Sequence, residues 1–151
     1  MRNPANCSPA ASPARAVALG LIATLLVGGL LPASGDASGV LGYAYFTRFG
    51  DGSAAYRHTA ENRIYVREDV RGQGVGKSLV AALVEQAAAH GFRQMIAVIG
   101  DSESVGSIGV HASLGFQRVG VLRSAGHKFG RWLDLVYMQR ALGPGDSTLP
   151  P

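Results

Sequence analysis

A glycine-rich loop between a predicted strand and a predicted helix restricts the fold of this chain more than any other feature. The loop RGQGVGKSL, Arg71–Leu79, follows a strand-like run at Asn62–Glu68. It leads into Val75–His90, where apolar residues recur at helical spacing, and Gly91 ends that helix. In this order the loop amides and the positive end of the helix point at the same spot, which suits an anion.

The spacing of the glycines narrows the kind of phosphate that the loop could hold. A nucleoside-triphosphate loop, G-x-x-x-x-G-K-[ST], needs glycine at position 71, where this chain has Arg71. A dinucleotide loop, G-x-G-x-x-G, needs glycine at position 77, where it has Lys77. The pattern that fits is R-x-x-G-x-G, formed by Arg71, Gly74 and Gly76, in which the backbone can approach a diphosphate closely. The same pattern also suits a turn that binds nothing.

From Gly39 onward the residues predict one mixed α/β domain. Further strands are predicted at Val40–Phe46 and Gln94–Gly100, with two more within residues 116–142, and a short helix at Ser104–Leu114. The order of these elements predicts a mixed sheet in which one parallel pair is bridged by the helix that follows the glycine loop. The domain is expected to cover residues 39–142, with a disordered tail at 143–151.

The first 38 residues have a different character. Residues 1–15 contain two arginines and no acid, and Ala16–Leu31 carries no charge. A basic start followed by a short apolar run predicts a secretory signal peptide, cleaved after Ala37. The run is shorter than the ~20 residues that span a bilayer, so a transmembrane helix fits less well. A buried helix, a wrong start site or a shifted reading frame would also produce such a sequence.

Composition excludes several classes of protein and site. An apolar content of 47% with 16% charged residues in 151 is typical of a single globular domain. The formal net charge is +4, but the basic residues form no stripe with interleaved aromatics, so nucleic acid is not an expected partner. Cys7 is the single cysteine, and the four histidines lack the pairing of helical metal ligands, so no metal is expected.

Several separate motifs resemble one enzyme family. The stretch IYVREDVRGQGVGKSLVAALVEQAAAHGF resembles the central motif of the GNAT superfamily of acetyl-CoA-dependent N-acetyltransferases. The stretches YRHTAENRIYV, MIAVIGDSES and SIGVHASLGFQRVGVLRSAGHKFGRWLDL are similar to its phosphinothricin N-acetyltransferase branch. The resemblance spans residues 40–142. It implies a mostly antiparallel mixed sheet with a central parallel pair and flanking helices, here without the usual N-terminal strand and helices.

The resemblance also implies a reaction and its setting. Acetyl-CoA, as co-substrate, would acetylate the primary amine of a small amino-acid-like molecule in the cytoplasm, and the chain could form a homodimer. Because an exported or membrane-tethered domain would meet no acetyl-CoA, we favour a wrong start or a shifted frame for residues 1–38. A truncated, non-catalytic remnant that binds CoA weakly or not at all is the alternative.

The same resemblance assigns roles to individual residues. Glu61 matches the general base that takes a proton from the amine, although by its sequence position alone it would be a solvated turn residue. His111 would protonate the leaving thiolate or help to orient it, and Tyr56 could line the acceptor pocket. Ser104 stands where relatives carry an Asn that bonds the pantetheine. The remaining cofactor-binding residues are Ile64, Tyr65 and Val66 for the pantetheine and thioester, and Arg71, Gly72, Gln73, Gly74, Val75, Gly76 and Lys77 for the diphosphate.

Overall fold

The computed structural model describes residues 23–28, 40–50 and 53–150, and it describes side chains from residue 40 onward. Its strands are β1 (Ala23–Gly28), β2 (Val40–Arg48), β3 (Thr59–Val66), β4 (Gln94–Gly100), β5 (Gln117–Lys128) and β6 (Arg131–Ala141). Its helices are α1 (Val75–Ala89) and α2 (Val105–Ser113), with 3₁₀ turns at Ala54–Tyr56 and Glu68–Val70.

The strands form one sheet in the order β1-β2-β3-β4-β6-β5. The pairing of β3 with β4 is parallel, and the other four pairings between described strands are antiparallel. Because α1 connects the two parallel strands, the predicted bridge by the glycine-loop helix is confirmed. The mixed, mostly antiparallel sheet with flanking helices is confirmed with it.

Part of the apolar N-terminal run belongs to this sheet. β1 pairs with β2 from Ala23 opposite Phe46 to Gly28 opposite Val40. The sequence predicted no strand here, since a short apolar run has the same periodicity in a strand and in a buried helix. The predictions of a signal peptide and of cleavage after Ala37 fall mainly on residues 1–22 and 29–39, which lie outside the described residues. No helix in the described ranges is long and apolar enough to cross a membrane.

Both helices pack on the same face of the sheet. The buried side of α1 lies against β2 and β3, and α2 contacts α1, β4 and β5. Side chains at alternate strand positions, such as Phe46, Met95 and Val136, fill the core beneath the helices. Along β2 and β3 the intervening residues therefore turn to the opposite face, where neither described helix packs.

Residues beyond β6, for which the sequence predicts a disordered tail, form hydrogen-bonded turns. The Gly145 amide donates to the Leu142 carbonyl oxygen at 2.9 Å. The guanidinium of Arg93 donates to Thr148 Oγ1 at 3.2 Å and to the Leu149 carbonyl oxygen at 3.5 Å. The segment is thus held against the end of the domain by one arginine.

Candidate active site

A gap opens in the sheet where the two parallel strands separate. β3 pairs with β4 from Thr59 opposite Gln94 to Asn62 opposite Ala97, and no pairing follows. A cavity of about 240 Å³ lies at this separation. Its walls come from the second half of β3, the end of β4 and α2, and the lining residues are Asn62, Arg63, Ile64, Tyr65, Val98, Ile99, Gly100, Ser104, Ser107 and His111.

The glycine loop leaves its amide groups free for a ligand. Gly72 and Gly74 have left-handed φ angles of 76° and 86°, and Gly74 precedes α1 without a side-chain cap. Among the residues that the structure describes, the amides of Gly72 and of 74–77 donate no hydrogen bond, whereas that of Ser78 donates to Gly74 at 3.0 Å. Free amides at a helix N-terminus bind anions, so the loop has the geometry of a phosphate site.

Charged side chains of both signs surround the glycine loop. Arg67 holds Asp69 through two hydrogen bonds of 2.6 and 2.9 Å, and this contact lowers the pKa of Asp69. Arg71 lies 3.9 Å from Glu68 in an ion pair that is exposed on both sides and therefore weak. Arg71 and Lys77 add positive charge beside the free amides, and α1 has no acidic residue in its first turn.

His111 is buried beside the gap in a defined orientation. Only 3% of its surface is exposed, and its ring stands edge-on to Phe116 at a centroid distance of 5.0 Å. Nδ1 lies 2.8 Å from the Ser107 carbonyl oxygen, which can only accept, so Nδ1 carries a proton. Burial lowers the pKa of His111, and the Ser107 carbonyl opposes this in part. The imidazole is therefore neutral at pH 7, with a lone pair on Nε2.

Asn62 is a residue that the sequence did not single out. It is 3% exposed on β3, with Nδ2 at 3.4 Å from His111 Nε2 and at 3.5 Å from Met95 Sδ. The signal that could have identified it is the alternation along β3, where Ala60, Asn62 and Ile64 point to the helices. The alternation extends over Ala60 and Asn62 because β3 begins at Thr59, whereas the sequence predicts that it begins at Asn62.

Glu61 occupies a different environment from the one its sequence position suggested. It is not a turn residue, because it lies within β3, opposite Thr47 on one side and Ile96 on the other. Its side chain is 16% exposed and its Oε1 forms an ion pair with Arg63, yet that oxygen accepts no well-aligned hydrogen bond from the described residues. Because side chains alternate along a strand, Glu61 and Asn62 face opposite sides of the sheet.

Aromatic side chains share the face that carries Glu61. The rings of Tyr43 and Tyr65 stack at 4.8 Å, and Tyr45 lies 6.5 Å from Tyr65 in a nearly parallel orientation. Within the described part of the chain no helix covers this face, and Tyr43 and Tyr65 are 39% and 47% exposed. The carboxylate of Glu61 thus shares its face of the sheet with exposed aromatic surface.

The remaining predicted site residues fall into two groups. Ile64, Tyr65 and Ser104 line the cavity, and the Ser104 hydroxyl donates to the Gly100 carbonyl oxygen at 3.0 Å. Val66 and Tyr56 do not line it: Tyr56 instead packs edge-to-face on Phe49 at 5.7 Å. No cluster of three or more metal-ligating side chains exists in the ranges that the structure describes.

Sequence comparison shows which known proteins this chain is similar to. Residues 24–116 match the sequence model of the Acetyltransferase (GNAT) family. Phosphinothricin N-acetyltransferase of Alcaligenes faecalis is 50% identical over 111 residues, which cover 74% of this chain and 56% of that protein. L-methionine sulfoximine/L-methionine sulfone acetyltransferase of Pseudomonas aeruginosa is 46% identical over 121 residues, 79% of this chain and 68% of the relative.

Solved structures show the same similarity in three dimensions. A GNAT superfamily phosphinothricin acetyltransferase from Sinorhizobium meliloti, in complex with AcCoA, matches with a TM-score of 0.71 and 46% identity. The match covers 76% of this chain and 60% of that one. The chain thus spans less than two thirds of the Alcaligenes and Sinorhizobium relatives. Ribosomal-protein-alanine N-acetyltransferase from Brucella melitensis matches with a TM-score of 0.66 and 38% identity, over 72% of this chain and 66% of that one. The chain belongs to the GNAT acetyltransferase family.

Proposed function

We propose that this chain transfers an acetyl group from acetyl-CoA to the primary amine of a small amino-acid-like molecule. The observation that carries the proposal is the gap between β3 and β4, which has His111 in its wall and opens at Asn62, the residue after Glu61. The free amides of the glycine loop lie at the start of α1, the helix that connects these two strands. By their names, the Alcaligenes and Sinorhizobium relatives act on phosphinothricin and the Pseudomonas relative on methionine sulfoximine or sulfone. These are amino-acid-like molecules, and the Sinorhizobium relative holds AcCoA.

The cofactor would bind along the chain from the loop to the gap. The diphosphate would take the free amides of residues 74–77, with charge added by Arg71 and Lys77. The backbone of β3 beyond Asn62 has no partner in β4, so its polar groups at 64–66 are available to the amides of a pantetheine arm. Ser104, on the opposite wall of the cavity, would contact the same arm.

The chemistry then follows from the groups at the gap. Glu61 would take a proton from the incoming ammonium, directly or through a water, and the freed lone pair would attack the thioester carbonyl. Main-chain N–H groups near Ile64 and Tyr65 would stabilise the oxyanion until the carbon–sulfur bond breaks. As the carbon–sulfur bond breaks, the nitrogen loses its second proton, and His111 would carry that proton to the leaving thiolate. It could give a proton to the thiolate only after taking one up, because Nε2 is unprotonated at rest.

Two measurements on the full chain test the proposal. Acetyl-CoA should raise the melting temperature, whereas ATP at the same concentration should not, because a ligand that binds only the native state stabilises it. Release of free CoA should then depend on an amino-acid-like amine such as methionine sulfoximine or phosphinothricin.

Replacement of the base tests the role of Glu61. Glu61→Gln should lower kcat about 10²-fold or more, which is the usual contribution of a general base. Glu85→Gln is the matched control, since Glu85 is an exposed carboxylate on α1. Binding of acetyl-CoA without transfer to any amine would identify the chain as a non-catalytic CoA-binding remnant and would refute the proposed activity. A cytoplasmic location and a homodimer stay predictions of the family resemblance.

A further inference from the structure

We propose that Asn62 is a positioning residue for His111: its side-chain amide donates to Nε2 and holds the imidazole neutral, with the ring proton on Nδ1. Asn62 and His111 are the two buried polar side chains among the described residues, each 3% exposed, and they touch each other. Because a buried polar group requires a hydrogen-bond partner, this contact satisfies one polar atom of each side chain.

The surroundings determine which way the Asn62 amide points. Nδ2 lies 3.4 Å from His111 Nε2 and 3.5 Å from Met95 Sδ, and both of these atoms can accept but not donate when the imidazole is neutral. With the amide reversed, the carbonyl oxygen would face two acceptors and both contacts would be repulsive. Nδ2 therefore faces His111, and each of its two protons has an acceptor.

The hydrogen bond at Nδ1, on the opposite side of the imidazole, allows only one tautomer of the neutral ring. The Ser107 carbonyl oxygen, 2.8 Å from Nδ1, requires a proton on that nitrogen. A second proton on Nε2 would point at the Asn62 amide protons and would be disfavoured by them. Asn62 and Ser107 thus hold the ring from both ends, and all three residues line the cavity.

No acidic group among the described residues competes for this role. The charged side chain that also lines the cavity is Arg63, and Arg140 donates to the Leu114 carbonyl oxygen at the end of α2. Phe116, in the segment after α2, contacts the ring, and the buried side chains of β4 and of α1 are apolar. Burial lowers the pKa of His111 and the Ser107 carbonyl raises it. No charged side chain of the described residues contributes to this shift.

Nitrogen-15 NMR of the full chain tests the contact directly, with the His111 signals assigned from their loss in His111→Gln. At pH 7.5 we expect a pyrrole-type shift for Nδ1 and a pyridine-type shift for Nε2. The side-chain amide protons of Asn62 should change shift at the pH midpoint of His111 and not in His111→Gln. A proton on Nε2 in the neutral ring, or Asn62 protons that do not follow His111, would overturn the proposal, and neither observation requires a variant of Asn62.

Asn62→Asp reverses the polarity of the contact. The carboxylate would accept from a protonated Nε2, so the midpoint of His111 should rise by about one pH unit or more, as expected for an opposite charge at this range. Gln94→Glu makes the same amide-to-carboxylate change on β4, where Gln94 pairs with Gln139, and should leave His111 unchanged. A folded Asn62→Asp variant with an unshifted midpoint would also overturn the proposal. The relevance of the contact to catalysis rests on the proposed function, but these readouts do not require acetyl transfer.

Discussion

A pair of glycine substitutions at the two ends of α1 would separate the stability of the loop from its binding function. Gly74 precedes the helix with φ of 86°, and Gly91 follows it with φ of 81°. A Cβ added at either position would meet no atom within 4 Å. Gly74→Ala and Gly91→Ala therefore impose the same backbone strain on the same helix without a steric clash. They differ in that Gly74 belongs to the proposed diphosphate loop.

The backbone strain and the change in acetyl-CoA affinity each have an expected magnitude. A non-glycine residue in the left-handed region costs about 1 kcal/mol, so both variants should lose this amount of stability and melt about 4 °C lower. At 100 times its Kd, a ligand of the native state adds about 2.7 kcal/mol. If the methyl group of Gly74→Ala keeps the diphosphate from the backbone and lowers affinity about tenfold, the same concentration adds only about 1.4 kcal/mol.

Thermal melts of wild type and both variants with increasing acetyl-CoA measure these quantities. We expect equal losses in the unliganded proteins, a full acetyl-CoA shift for Gly91→Ala and about half that shift for Gly74→Ala. Titration calorimetry should give the matching change in Kd. Equal acetyl-CoA shifts in the two variants would refute the assignment of the loop as the cofactor site, because strain alone would then account for Gly74→Ala.

Two further predictions concern stability. Gly42→Ala should lower the free energy of unfolding in urea by about 1–3 kcal/mol, because its Cβ would lie 2.7 Å from the Tyr65 carbonyl oxygen. Gly100→Ala, whose Cβ would lie in open space, should lose less. Equal losses in the two variants would contradict the packing argument. Acid should destabilise the protein through His111, whose folded pKa lies below its ordinary value of 6.5: as pH falls through 6.5 the unfolded chain binds the proton first, and the loss continues down to the folded pKa. Urea midpoints at pH 7.5 and 5 should therefore differ more in wild type than in His111→Gln, and an unchanged difference would contradict this cause.

The helix and the strand after it could be predicted because their signals are local. α1 begins at Val75 and β4 covers Gln94–Gly100, both as the sequence indicated, since apolar periodicity and flanking glycines lie within the segments themselves. The start of β3 could not be predicted in this way. Its first residues, Thr59–Glu61, are mostly polar, and their pairing with both β2 and β4 makes them a strand. Tertiary pairing overrides local preference at such positions.

The sequence indicated Glu61 and His111 but not Asn62. Asn62 was missed because its place in the site depends on where β3 and β4 separate. In a continuous parallel pair, β4 would occupy the backbone groups along that side of β3. Because the pairing stops at Asn62, the backbone of β3 from Arg63 onward has no partner on the β4 side, although it still pairs with β2. Successive side chains lie on opposite faces of the sheet at this point: the carboxylate of Glu61 on one, the amide of Asn62 and the imidazole that it contacts on the other. Alternation can be read along one strand, but the point of separation depends on β4, more than thirty residues later. The sequence could therefore indicate Glu61 and His111 through family motifs, while Asn62 acquires a role only where the two strands part.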